Sequence, residues 1–238
     1  MTQTILFQHN SLAALMAGLY QGTMPLKQLL EHGDLGIGTL DQIDGELIIL
    51  DGKAYQAIGT GAKAEVVALE GQETVPYAAV VKHQPVQNFS IDQVLSATAL
   101  KEKLEAQFIS RNLFHSLKIK GHFKDMHVRM IPKSPLGKSF AEIAQSQPEF
   151  TKEDVYGTLL GFWTPELFHG LSVAGYHLHF LSDDKQFGGH VLDFQIVNGQ
   201  AEIGQIAGLL QDFPANNQAF RDANFDIEQL RKDIDQSE

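Results

Sequence analysis

The 238-residue chain contains no cysteine, which excludes disulfides, thiolate nucleophiles, iron–sulfur clusters and cysteine-ligated zinc together. Basic residues are also scarce: 18 Lys and Arg stand against 29 Asp and Glu, a formal charge of -11. Sequence-independent nucleic-acid binding depends on clustered Lys and Arg that release counterions, so an acidic chain is expected to have no nucleic-acid partner. The same balance disfavours docking on anionic lipid. Long apolar runs are missing, and no stretch reaches the ~18 residues of a membrane span. The early apolar run from Leu12 to Tyr20 has no basic residue ahead of it, the first being Lys27, and no A-x-A-like cleavage site. It does not read as a secretory signal, and a cytoplasmic location is expected. Internal repeats, low-complexity segments and Pro/Ser-rich linkers are absent as well.

What is present fits a globular chain. Hydrophobic residues make up 43% and charged residues 20%, and the length divided by ~150 residues per domain falls between one domain and two. Ser11 ahead of Leu12, Leu15, Met16 and Leu19 predicts a first short helix, and Thr23 with Pro25 a second that Gly33 closes. From Leu35 to Ile58 the texture becomes strand-like, with Asp44-Gly45 and Asp51-Gly52 as hairpin turns, and Glu65 to Leu69 and Tyr77 to Val81 continue it. A helix is predicted over about Ile91 to Ile109, with Ser90 and Gln93 as its capping box. Two strands joined near Gly121 come next, then a short helix at Ala141 to Gln145 and strands from Val155 to Trp163. A hairpin series over Val173 to Ile206, with Asn198-Gly199 as its clearest turn, precedes a helical tail from Asn217. The expected fold is α+β: a mixed or antiparallel sheet with flanking helices over residues 1–150, and a smaller β-rich, barrel-like part over 151–238.

Several signatures are excluded by position. Gly137-Lys138-Ser139 ends like a phosphate loop, but the required earlier glycine is Pro132. Ser172, between Gly170 and Gly175, has one residue too many for a nucleophile elbow. Gly36 and Gly38 lack a third glycine three residues on, so a tight strand crossing explains them better than a dinucleotide site.

The informative feature is His177-Leu178-His179 followed by Gly188-Gly189-His190. In a strand, residues i and i+2 share a face, close enough for two imidazoles to converge on one cation. Such a pair also serves as a plain solvated or hydrogen-bonded strand face. The stretch Ser182-Asp183-Asp184-Lys185 is turn chemistry, however, and an antiparallel return would set His190 opposite His179 or His177, on the same face. Three imidazoles with an open position is the arrangement of catalytic zinc. The other seven histidines are given structural roles. Glu46, after the Asp44-Gly45 turn, reads by itself as a solvated residue. Arg129, alternating with His127 along a strand, reads as a surface or interface pair, although a guanidinium beside a metal suits a substrate carboxylate.

A set of segments in this order resembles one family. They are His32 to Leu40, Asp44-Gly45-Glu46, Gly121-His122-Phe123 with Arg129, Thr164-Pro165, and Ala174 to Phe180 through Gly188 to Phe194. Together, from the first residues to the last, they are similar to α-acetolactate decarboxylase. The resemblance implies a zinc enzyme, a homodimer, that converts the small molecule 2-acetolactate to acetoin and carbon dioxide. It implies His177, His179 and His190 as the zinc ligands, and Thr39, Glu46 and Arg129 as residues lining the pocket. It also implies a glutamate four residues after an aliphatic one, matched by Ile234 and Glu238, with Glu228 as the fallback. In the chemistry so implied, a cation chelated by the keto and hydroxyl oxygens takes up the electron pair left by decarboxylation, Arg129 orients the leaving carboxylate, and Glu46 or Glu238 protonates the enediolate. A cupin-like metal dioxygenase or isomerase, with Asp183 or Asp184 beside the histidine pair, and a non-enzymatic metal-dependent binding module are the alternatives.

Overall fold

The two glycine turns expected early in the chain organise its first half. Asp51 and Gly52 both take positive φ (52° and 74°), as a two-residue turn must if its twist is to match its strands, and Leu50 comes opposite Lys53. The computed structural model describes residues 3–61, 63–134, 140, 143, 147–226 and 228–230. In chain order its elements begin with β1 (Ile5–His9), α1 (Leu12–Met16), β2 (Met24–Pro25), α2 (Leu26–Leu30), β3 (Leu35–Thr39), β4 (Glu46–Leu50), β5 (Lys53–Thr60), β6 (Lys63–Ala68), β7 (Thr74–Val75) and β8 (Tyr77–Val81). They continue with β9 (Pro85–Ile91), β10 (Leu95–Ser96), α3 (Ala97–Glu105), β11 (Phe114–Arg129), β12 (Glu149–Thr164), β13 (Gly175–Ser182), β14 (Gly188–Ile206), β15 (Gly208–Asp212) and α4 (Gln218–Asp222).

Among the described residues, one seven-stranded sheet runs β15-β1-β8-β3-β4-β5-β6. It is mixed because β1 and β15 are parallel. A six-stranded antiparallel sheet holds β10, β14, β11, β12 and β13, with β9 beside β14. Because β13 pairs with β12 and also with the start of β14, this second sheet closes into a ring. The architecture is therefore mostly β rather than α+β. Among the described residues no helix exceeds the nine residues of α3. The β-rich part is not the smaller one: its strands β11 and β12 have 16 residues each and β14 has 19, and it draws on both sides of residue 150.

Two expected turns are instead points of close packing. Gly121 lies inside the continuous β11, opposite Gly157 on one side and Gly199 on the other. A Cβ at Gly121 would stand 2.4 Å from the carbonyl oxygen of Asn198, and one at Gly199 2.6 Å from that of Lys120. The glycine row lets three backbones press together where the sheet coils, and β-bulges between His122 and Asp125 add to the bend. The predicted helix over Ile91 to Ile109 shrinks to α3 because its first residues join the sheet. Leu95 and Ser96 pair with Ile196 and Gln195, Ser90 Oγ accepts from Gln200 Nε2, and the N-cap is Ser96, whose Oγ accepts the Ala99 N–H. The first short helix forms with Ser11 as its cap. The Ala141 to Gln145 helix lies mostly outside the described residues.

One buried cluster runs through both sheets, taking Ile37 and Ile48 from the first and Leu117, Leu159, Phe180 and Ile203 from the second. Burying each such side chain stabilises the fold by about 1.5–3 kcal/mol, which fixes how the sheets face one another. No helix among the described residues is long and apolar enough to cross a membrane.

Three histidines outside this cluster are buried as hydrogen-bonded neutral rings. His9 bridges Asp212 Oδ2 at 2.6 Å and Thr23 Oγ1 at 2.7 Å, His83 meets Ser116 Oγ at 2.9 Å, and His115 meets the Ser110 carbonyl at 2.9 Å. Burial holds each below its ordinary value of 6.5, outweighing the carboxylates near His9 and His83. The unfolded chain therefore takes up protons first as pH falls, so stability present above 6.5 is lost as pH drops through the depressed values. Urea unfolding at about pH 7.5 and about pH 5.5 should show a lower midpoint at the acid value; an unchanged or higher one would remove these histidines from the stability balance.

Candidate metal centre

The three sequence-singled histidines meet because of the turn between β13 and β14. Ser182 organises it: its N–H donates to the Phe187 carbonyl at 2.8 Å and its Oγ accepts the Phe187 N–H at 2.9 Å. Lys185, at positive φ (57°), donates its N–H back to the Ser182 carbonyl. The chain reverses as expected, and the register sets His179 directly opposite His190. His177, two residues before His179 on β13, shares the face. One nitrogen from each of His177, His179 and His190 lies within 4.8 Å of the other two. Their ring centroids are 5.3, 5.0 and 5.6 Å apart.

Glycines hold the strands close enough for this. Gly161 on β12 has φ of 150°, and a Cβ there would stand 2.1 Å from the His177 carbonyl oxygen. Gly189 has φ of 149°, and its Cβ would stand 2.9 Å from the Arg129 carbonyl oxygen. Both positions let a neighbouring backbone approach the histidine strands without a side chain between.

The histidines have the protonation state of metal donors. His179 Nδ1 lies 3.0 Å from the Leu47 carbonyl, which can only accept, so Nδ1 carries the proton and Nε2 presents a lone pair. That Nε2 is buried and has no hydrogen-bond partner. Glu46 Oε2 stands 3.5 Å away, but burial pushes His179 down to about 4, so at neutral pH this is not an ion pair. Burial also holds His177 and His190 well below the ordinary range, with the neighbouring imidazoles and Arg129 adding to the effect. Three neutral rings around an orphaned buried lone pair fit a divalent cation bound by nitrogen.

His177 and His190, with His179 beside them, face a cavity also lined by Thr39, Glu46 and Arg129 among others. Glu46, expected from its sequence position to be solvated, is in fact buried at the head of β4. Its Oε1 accepts the Ile131 N–H at 2.9 Å, while the Gly45 N–H donates to the Ile131 carbonyl. Burial raises its carboxyl to about 7, against the smaller opposing pull of that N–H and of Arg129. Arg129 faces His190 in the register, its Nη2 3.3 Å from His190 Nε2. Thr39 Oγ1 donates to the Gly45 carbonyl at 2.7 Å and so fixes the turn that carries Glu46. Glu238 lies outside the described residues, and Glu228 is exposed. Sequence reasoning missed the apolar wall of Leu12, Leu15, Met16, Ile43 and Ile131, and Tyr77. The spacing of Leu12, Leu15 and Met16 marks a buried helix face but not what it faces, and Ile131 acts through its backbone.

Compared with known proteins, residues 6–227 match the family model for alpha-acetolactate decarboxylase. The alpha-acetolactate decarboxylase of Streptococcus thermophilus is 56% identical, covering 98% of each chain. That of Lactococcus lactis subsp. cremoris is 57% identical over 99% of this chain and 98% of its own. Among solved structures, alpha-acetolactate decarboxylase from Bacillus subtilis superposes with a TM-score of 0.93 at 30% identity, covering 98% of this chain and 99% of that one. A Staphylococcus aureus protein of unknown function, described as similar to alpha-acetolactate decarboxylase, superposes at 0.94 with 42% identity, covering 98% and 100%.

Gly161 provides a test of how the histidine strand is held. A Gly161→Ala side chain has to displace the His177 carbonyl and adopt a backbone geometry unfavourable to alanine, so the variant should lose about 1–3 kcal/mol of stability. Urea titration measures it, and wild-type stability would show that β12 and β13 separate freely.

Proposed function

The chain belongs to the alpha-acetolactate decarboxylase family, and from that premise we propose a residue-level account of how it converts 2-acetolactate to acetoin and carbon dioxide. The observation that carries it is the convergence, in and beside one cavity, of three neutral imidazoles, a guanidinium and a carboxyl whose proton is held near neutrality. His177, His179 and His190 hold a divalent ion, which we take to be zinc because three nitrogen donors with an open position suit it. When bound, that ion supplies Lewis-acid stabilisation of charge on the substrate's oxygens.

The remaining work falls to the chain's own side chains. Arg129 pairs with the substrate carboxylate and holds it out of the plane of the adjacent carbonyl, so that the breaking bond overlaps the π-system. Loss of carbon dioxide leaves an electron pair on the carbon, which takes a proton to become acetoin. Glu46, buried and with its carboxyl raised to about 7, holds that proton at the cavity wall. A neighbouring cation works against burial here by favouring the carboxylate. A second carboxyl sharing the proton restores the balance, and Glu238 is our candidate. Its support is the spacing of Ile234 and Glu238, together with Leu230, which packs in the apolar cluster of Leu12, Leu15 and Ile131. Thr39 positions Glu46 through the Gly45 carbonyl. The same wall receives the two methyl groups of the substrate and excludes water from the reacting carbon.

The enzyme is proposed to act in the cytoplasm as a homodimer that covers an edge strand of the first sheet, β6 or β15, with a second copy.

Purified protein mixed with 2-acetolactate should release acetoin, and a chelator should stop it; chelator-insensitive turnover would remove the metal. His179→Ala should lose bound metal and activity together, and metal content at the wild-type level in that variant would reassign the ligands. Glu46→Gln should keep its metal while turnover falls by about 10²–10⁴. Glu238→Gln should likewise keep metal and lose turnover, and near-normal kcat would exclude it as a proton carrier.

A further inference from the structure

His177 borders two cavities. One is the catalytic cavity; the other is a small chamber between the sheets with room for about one water molecule. The chamber's walls are apolar, Leu6, Ile37 and Phe162 among them, except where His177, Thr164, Ser172 and Tyr77 reach it. Thr164 follows Phe162 by two residues on β12, and Phe162 lies directly opposite His177 on β13, so all three share a face.

An imidazole that gives one nitrogen to a metal carries its proton on the other, and that N–H needs an acceptor. For His179 the acceptor is the Leu47 carbonyl. No hydrogen bond from a described residue reaches the His177 ring, although burial and its neighbours keep it neutral. Thr164 is 2% exposed, yet its hydroxyl makes no hydrogen bond to a described residue. Ser172 Oγ gives its proton to Gln8 Oε1 and accepts from the Tyr77 hydroxyl at 3.4 Å, which leaves one lone pair as an acceptor. Three such groups on an otherwise apolar wall meet the requirement of two to four partners for a buried water.

We propose that the chamber is a built site for a single water molecule, which accepts the N–H of His177 and is held by Thr164 and Ser172. Thr164 is thereby a positioning residue for the metal ligand, acting through that water and His177. The inference rests on the proposed metal site. It also gives a role to Thr164, which otherwise has none in the reaction.

Thr164→Val keeps the shape of the side chain and removes only the hydroxyl, while Thr164→Ser keeps the hydroxyl. Competition against a chromophoric chelator, with zinc as the probe, should show a dissociation constant raised by about tenfold or more in the valine variant. The serine variant should bind zinc within about threefold of wild type, and the melting temperature of the metal-free proteins should be the same. A crystal structure of the zinc-loaded wild type should show one water within hydrogen-bond distance of His177, Thr164 and Ser172. Wild-type zinc affinity in Thr164→Val, or a dry chamber in that structure, overturns the proposal while leaving the metal site intact. Failure of the wild type to bind zinc at all overturns the metal reading and this inference with it.

Discussion

The hydrogen bond from His179 Nδ1 to the Leu47 carbonyl joins the two sheets at the point where chemistry is to occur. It crosses from β13 to β4, and it fixes the tautomer that leaves Nε2 as a lone pair toward the other histidines. Leu47 is the neighbour of Glu46, so one dipeptide at the head of β4 sets both the orientation of His179 and the place of the buried carboxyl. A shift of β4 against β13 would disturb both at once. Its rigidity follows from local causes: the Thr39 hydroxyl on the Gly45 carbonyl, the Gln56 amide on the Asp44 carbonyl, and the paired bonds to Ile131.

Charge in the cavity is set locally and against the trend of the molecule. The chain is acidic, with a formal charge of -11, and its long-range field repels an anionic substrate. Arg129 reverses the sign inside the cavity. The same guanidinium helps keep all three histidines neutral, which is the state a cation requires, and it draws Glu46 toward its ionised form. Burial pulls Glu46 the other way and wins, leaving its carboxyl near 7. A group poised there both holds and releases a proton at little cost, whereas an exposed glutamate would be ionised throughout the neutral range.

The sequence made the histidine site legible because its signals are local. His177 and His179 share a face by strand periodicity, and Ser182 to Lys185 is turn chemistry that acts within a few residues. The two short N-terminal helices and the β3-β4-β5 meander were legible for the same reason, through Ser11, Pro25 and the two Asp-Gly turns. What failed were glycines and helix starts whose meaning is set by distant partners. Gly121 and Asn198-Gly199 look like turns, yet each is pressed against the other's strand. Ser90 and Gln93 spell a capping box, but pairing of Leu95 and Ser96 with β14 claims that segment for the sheet. Glu46 reads as solvated from its own neighbours, yet it is buried with the Ile131 N–H, distant in the chain, on its Oε1. Its role in the family entered through resemblance, not through periodicity.

The double pairing of β14 explains why the histidines and the guanidinium meet. β14 begins as the partner of β13 and then departs to run along β11, and His190 sits at the junction, paired with His179 on one side and with Arg129 on the other. Directly paired residues project to the same face. Arg129, His190 and His179 thus form one row across three strands, with His177 one step along β13. The β13–β14 turn sets His190 opposite His179, and the pairing of β14 with β11 adds Arg129 to the row. The glycines at 121, 157, 161 and 199 let neighbouring backbones come closer than a Cβ would allow. Gly161 lies against the His177 carbonyl, so a residue that carries no chemistry sets how closely the histidine strand is held.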